Sequence, residues 1–306
     1  MNSLFSVILI IGIFCFYSLL WIIYYKQYRF ASYLFDLLPY YPIFSILNGL
    51  TLISIFWSNI ENSTNKILLT IISIALFSPQ FILFSKWRRN YIIAKYEKLL
   101  VELATNDKIE LLSFEDYLNR KNKPFEKTIV IIRHDVDISL NRAKNMMRLD
   151  KKYGIPATYF FRNKCEKYKF DEIIPILKDI RKYDNIYAGF HFSTLTNTEG
   201  DIKTAKSRFK EELEIFKKHA TIRFIAAHGD MYKNRQLVTD KIINLEELGL
   251  HSAYDINHDF YLSEAGGLHH FNREEGGITF EDQIKILSNP PKGKLIQILI
   301  HPDWWF

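Results

Sequence analysis

The sequence predicts an α/β fold of parallel β/α units, preceded by membrane-spanning helices. Three observations predict it. Strand-like and helix-like segments alternate from residue 128 to the end, as in a parallel sheet or barrel. Within them, the β-branched run Thr128–Ile132 ends abruptly in Arg133-His134-Asp135-Val136-Asp137. Two carboxylates two residues apart at the carboxyl end of a buried strand stand where α/β folds place their chemistry. The first 86 residues are almost wholly apolar, whereas the remainder is rich in Lys, Glu and Asp.

The apolar part divides into three stretches. Leu4–Tyr25 carries no charge and is long enough to cross a bilayer. A second runs from about Leu37 to Trp57, with Pro39, Pro42 and Asn48. The third, Ile67–Phe84, is the shortest and contains Pro79 and Gln80. Trp21, Tyr24, Tyr25, Tyr40, Tyr41, Trp57 and Trp87 stand near the ends, as an interfacial aromatic belt requires. Leu4–Tyr25 lacks a basic n-region before it and a small-x-small cleavage site, which argues against a signal peptide. Lys26 and Arg29 follow the first span, and Lys86, Arg88, Arg89, Lys95 and Lys98 follow the third. Three spans with positive flanks inside place the soluble domain in the cytoplasm; two would place it outside. The predicted organisation is a transmembrane region at 1–86, a connecting helix and lead-in at 87–127, and a barrel at 128–306.

The soluble elements follow in order. Tyr91–Ala104 reads as a helix, and Lys108–Arg120 as a short strand and helix stopped before Pro124. Strands are expected at Thr128–Arg133, Ala157–Arg162, Ile186–Phe190, Ile222–Ala226, His251–Tyr254, Leu268–Phe271 and Leu295–Ile300, seven in all. Helices are expected at Ser139–Tyr153, Phe170–Tyr183, Asp201–His219, Leu237–Leu248 and Thr279–Leu287. The first of these is opened by an N-cap serine and closed by Gly154.

Composition narrows the partners. The net charge of +6 is ordinary once the juxtamembrane basic cluster is assigned to topology and anionic headgroups, so membrane lipid is an expected partner. No nucleic-acid motif or basic stacking platform is present in the sequence, and no nucleic-acid partner is expected. Cys15 and Cys165 lie in different regions and imply neither a disulfide nor a cysteine metal site. The sequon Asn62-Ser63-Thr64 is taken as chance.

Unusual side chains collect at the strand ends. Strand three ends in Gly189-Phe190-His191, strand four in Ala227-His228-Gly229, and the last in Ile300-His301-Pro302-Asp303. With Asp135 and Asp137, three histidines and two carboxylates project from the carboxyl ends of separate strands. Strand alternation puts Arg133, Asp135 and Asp137 on one face and His134 and Val136 on the other, which makes His134 structural. Aspartate and histidine without sulfur suit Zn²⁺ or another borderline divalent metal. Such a metal polarises a carbonyl, a carboxylate takes the proton of water, and an imidazole protonates the leaving amine. That equipment suits hydrolysis of an amide or ester. No Gly-x-Ser-x-Gly elbow suggests a covalent route.

Arg133–Asp137, then Gly154-Ile-Pro-Ala-Thr-Tyr-Phe-Phe161, Gly189-Phe-His191, His228-Gly229 and His301-Pro-Asp-Trp-Trp305 together resemble the polysaccharide deacetylase superfamily (carbohydrate esterase family four and relatives). The match is to the branch carrying His-Asp-Val-Asp, and it spans roughly Lys108–Phe306. The resemblance implies a distorted β/α barrel of seven strands, which agrees with the independent strand count. It implies Asp135 as catalytic base, Asp137 as aspartate metal ligand, His191 as the first metal histidine and His301 as general acid. Leu262-Ser-Glu-Ala-Gly-Gly267 resembles a region lining the active-site rim. Leu195 departs from the pattern, standing where a second metal histidine is usual. His228 or a loop Asp or Glu could supply that ligand. The implied activity is deacetylation of a glycan or lipid-linked sugar. The alternatives are a degenerate, membrane-tethered glycan-binding or assembly protein, and a non-sugar amide hydrolase on the same barrel.

Overall fold

A computed structural model describes residues 93–120, 123–163, 165, 167–229, 231–263, 270–271 and 279–305. The chain divides into two units between Asn90 and Tyr91, and all the described residues belong to the second. The three expected spans lie outside the described residues. Among those described, no helix is long and apolar enough to cross a membrane.

The domain opens with helix α1 (93–105), whose Tyr96, Leu99, Leu100 and Leu103 recur at helical spacing and are all buried. Strand β1 (Ile109–Leu111) and helix α2 (Phe114–Arg120) follow. The central strand β2 (Thr128–Val136) is buried along its whole length and runs three residues further than expected. Helix α3 (Leu140–Tyr153) starts where the Ser139 hydroxyl accepts the Arg142 N–H. It ends at Gly154, whose φ of 68° is the left-handed cap conformation that glycine adopts without a Cβ penalty. Then come β3 (Ala157–Phe161), α4 (Phe170–Ile180), β4 (Ile186–Phe192), α5 (Ile202–Lys217), β5 (Phe224–Ala227), α6 (Gln236–Thr239) and β6 (His251–Ser252). The last elements are β7 (Phe260–Ser263), β8 (His270–Phe271), α7 (Phe280–Ser288), β9 (Leu295–Ile300) and α8 (Pro302–Trp305).

Seven parallel strands in the order β6-β5-β4-β3-β2-β9-β7 curl into an open half-barrel. Strand β2 pairs with β9 along one edge, while β1 and β3 share its other edge in tandem. Among the described residues β6 and β7 are not paired, so the curl is not closed there.

Two expectations are corrected. The sixth parallel strand is Phe260–Ser263, and 270–271 instead forms the antiparallel partner β8. Phe260–Ser263 is too short and mixed to stand out by periodicity; its pairing with β9 makes it a strand. The expected helix Leu237–Leu248 is one α-turn and a 3₁₀ turn at Glu246–Leu248. Lys241 adopts φ 53° and Ile243 N–H returns to the Leu237 carbonyl, so the chain turns back where the apolar spacing alone would continue a helix.

Strand alternation gives the sheet two cores. Val130, Ile132 and Val136 face the helices on the outside, and Ile129 and Ile131 face the barrel interior. Phe114 of α2 and Phe160 of β3 fill that interior, edge to face at 6.0 Å. Gly189 lies opposite Phe160, and a Cβ there would stand 2.4 Å from the ring. Only glycine lets β4 carry that ring across its face.

Candidate active site

The sheet brings five of the expected side chains to its carboxyl rim. Because β2 stays extended to Val136, Asp135 points inward with Arg133, while His134 points outward. Asp135 is 3 % exposed, and its Oδ2 accepts from Arg133 Nη2 at 3.1 Å. Its Oδ1 is buried with no hydrogen-bond partner among the described residues. The Arg133 guanidinium also lies over the Tyr254 ring, 5.0 Å from its centre. Burial works against the arginine's charge, but Asp135, Tyr261 and Tyr254 more than restore it and hold its pKa above the usual range.

Asp137 follows β2 directly. Its Oδ1 lies 3.2 Å from His191 Nε2 and 3.7 Å from His228 Nε2, and its Oδ2 lies 3.9 Å from His301 Nε2. His191 is the penultimate residue of β4, His228 follows β5, and His301 follows β9. Burial raises the Asp137 pKa, yet the approach of His191 and the charges of His191, His228 and His301 outweigh it. The carboxyl is held well below the usual carboxylate range.

Backbone contacts fix the turn that carries Asp137. The Tyr168 hydroxyl donates to the Val136 carbonyl at 2.6 Å, and Ile138 N–H donates to Asp303 Oδ2 at 2.9 Å. Cys165 Sγ lies 3.2 Å from the Asp137 carbonyl. The buried Asn234 joins two other loops: its Oδ1 accepts from the N–H groups of Leu195 and Thr196, and its Nδ2 donates to the His228 carbonyl. Sequence reasoning missed Tyr168 and Asn234. Neither belongs to a motif, and each acts across a separation set only by the fold.

Leu195 is buried in the outer core, so the position where the resemblance expects a histidine serves packing. His228 is the second imidazole beside Asp137, with its ring 5.5 Å from that of His191 and steeply inclined to it. Ser263 ends β7, and the rest of the rim segment after it, 264–267, lies outside the described residues.

The donors suit a divalent cation by type. His191 Nδ1 lies 3.0 Å from the Ala226 carbonyl, which can only accept, so Nδ1 carries the proton. A neutral ring then turns the Nε2 lone pair toward Asp137 Oδ1, itself buried and without a hydrogen-bond partner among the described residues. Two electron-rich atoms at that distance need positive charge between them, either a proton on Nε2 or a shared cation. A ligating histidine held through its other nitrogen by a carbonyl is the usual supporting arrangement of a metal site. Among the described residues, however, no group of three or more His, Cys, Asp or Glu side chains is already arranged to hold an ion.

Fold and site together define a parallel-stranded α/β half-barrel with an aspartate–histidine cluster at its carboxyl rim. No family model matches the chain, and no curated protein matches it in sequence.

Proposed function

We propose that this chain is a membrane-anchored, metal-dependent hydrolase that removes an acetyl group, as amide or ester, from a glycan or lipid-linked sugar. The observation that carries the reading is the gathering of His191, His228 and His301 around Asp137, beside Asp135. The order of motifs, which resembles the polysaccharide deacetylases, supplies the substrate class. Asp137, His191 and His228 would hold a divalent cation, Zn²⁺ by donor type, which when bound polarises the acyl carbonyl and acidifies water.

Asp135 is the general base. Arg133 holds its Oδ2 and balances its charge, which leaves Oδ1 to take a proton from the attacking water. The water oxygen bonds to the acyl carbon, and the bond from that carbon to the sugar's nitrogen or oxygen breaks. His301, across Asp137 from the two metal histidines, gives a proton to the departing group, and acetate is released. On the cytoplasmic placement that the charge pattern leads us to expect, the substrate is a lipid-linked precursor or nucleotide sugar rather than finished cell wall. The test is acetate release from acetylated oligosaccharides by the purified protein with zinc or cobalt. Release unchanged in Asp135→Asn would defeat the assignment.

A second reading is a tethered glycan-binding protein that has lost the metal. Leu195 and the lack of a ready-made three-donor group among the described residues favour it. Stoichiometric metal in the purified chain, lost in His191→Ala, rules it out.

A further inference from the structure

Behind the sheet lies a buried polar cluster that the reaction does not use. Asp150 of α3 is 0 % exposed, and its Oδ1 accepts from the hydroxyl of Tyr96 on α1. Its Oδ2 accepts from the Tyr159 hydroxyl of β3 at 2.6 Å. His134 Nε2 stands 2.9 Å from the same oxygen, a close polar contact without hydrogen-bond alignment. The imidazole stacks on the Tyr159 ring at 4.2 Å. Tyr96 also packs against Trp305, with ring centres 5.3 Å apart.

We propose that Tyr96 is a positioning residue that braces both acid–base arms of the site from behind. Through Asp150 it meets His134, whose chain neighbour is the base Asp135. Through Trp305 it meets α8, which begins one residue beyond the acid His301. An apolar staple would dock α1 more cheaply, because a buried carboxylate is costly unless every oxygen is matched. What the polar cluster adds is direction: two hydroxyl donors converging on one carboxylate, with the His134 ring stacked beside them, set the relative placement of α1, β2 and β3 more narrowly than apolar contact does. The front of the site is tied across the same two arms, since Arg142 of α3 donates to the Asp303 carbonyl and Ile138 N–H to the Asp303 side chain. Tyr96 is thus joined to both arms at once, while Tyr159 reaches the β2 arm through its own contacts with His134 and Asp150.

The kinetic consequence rests on the hydrolase reading; the structural one does not. Tyr96→Phe keeps the ring against Trp305 and removes only the hydroxyl. In the full chain, held in detergent or nanodiscs, amide exchange at 134–138 and 301–305 should quicken about tenfold or more, with 186–192 of β4 unchanged. The acetate-release kcat should fall about tenfold at constant KM, as misplacement of reacting groups predicts. Exchange that stays the same in either arm, or that rises evenly across the sheet, overturns the proposal. Unchanged kcat in folded Tyr96→Phe overturns it as well. A wild-type chain that releases no acetate defeats the hydrolase reading alone, and the exchange pattern still decides the role of Tyr96. Should Tyr96→Phe fail to fold, Asp150→Leu removes the acceptor of the same bond and is read in the same way.

Discussion

The inner and outer faces of β2 each bury a carboxylate against a nitrogen-bearing side chain of that strand, Asp135 against Arg133 and Asp150 against His134. On the outer face both Asp150 oxygens are taken, by Tyr96 and by Tyr159 and His134. On the inner face Asp135 Oδ1 is left without a partner among the described residues, and so is Oδ1 of the adjoining Asp137. Both sides bear the desolvation cost of a buried charge. On the outer face the hydroxyls of Tyr96 and Tyr159 each donate to one carboxylate oxygen, although both His134 nitrogens there lack an aligned hydrogen bond. The inner side is therefore the one whose carboxylates have acceptor capacity to offer a water, a cation or a substrate, and the outer carboxylate is scaffold.

The sharpest way to break this contrast is to neutralise each carboxylate in turn. Asp135→Asn should lower acetate release by about a thousandfold, the range expected on losing a general base. It should also lower stability by about 3 kcal/mol in denaturant unfolding, because Arg133 is left buried without its counter-charge. Asp150→Asn should cost only about tenfold in kcat, since it shifts the reacting groups without removing one. Equal losses from the two variants would erase the distinction between the faces.

Metal content tests the next largest effect. Chelation should abolish acetate release, and re-addition of zinc should restore it. His191→Ala should purify with its metal lost by elemental analysis, because Ala226 then holds no ring toward Asp137.

Two scaffold variants sharpen the contrast without touching either carboxylate of β2's two faces. Gly189→Ala drives a methyl into the Phe160 ring and should cost about 1–3 kcal/mol by thermal or denaturant unfolding. Part of that loss should return in the double variant with Phe160→Leu, which vacates the space. Thr279→Ala removes the capping box of α7, where Thr279 and Asp282 satisfy each other's backbone N–H groups. It should cost about 1 kcal/mol in unfolding, and the capping bonds it removes touch neither Asp135 nor Asp150.

Much of the scaffold is legible in the sequence. Thr128–Ile132 is too β-branched and too short for a helix, and Ser139 with Gly154 brackets α3 where expected. Phe260–Ser263 escapes such a reading because four residues carry too little pattern to outweigh their surroundings, and pairing with β9 decides them. Leu237–Leu248 reads as one long helix because apolar spacing cannot register a backbone reversal at Lys241.

The candidate site divides in the same way. Strict two-residue alternation along β2 is enough by itself to separate Asp135 from His134, because a strand can turn only one of two neighbours inward. Chemical type is enough to mark Asp137, His191, His228 and His301 as donors. Which of them meet is a matter for the tertiary structure. The order β5-β4-β3-β2-β9 sets three strand ends around Asp137, and no local rule specifies that order. The same holds for Asp150 and Tyr96, 54 residues apart and unremarkable where they stand in the chain. Local sequence determines which face a side chain takes, since that depends on its nearest backbone neighbours. Only the fold decides whether a buried carboxylate finds all its partners, because those partners arrive from elements far away in the chain.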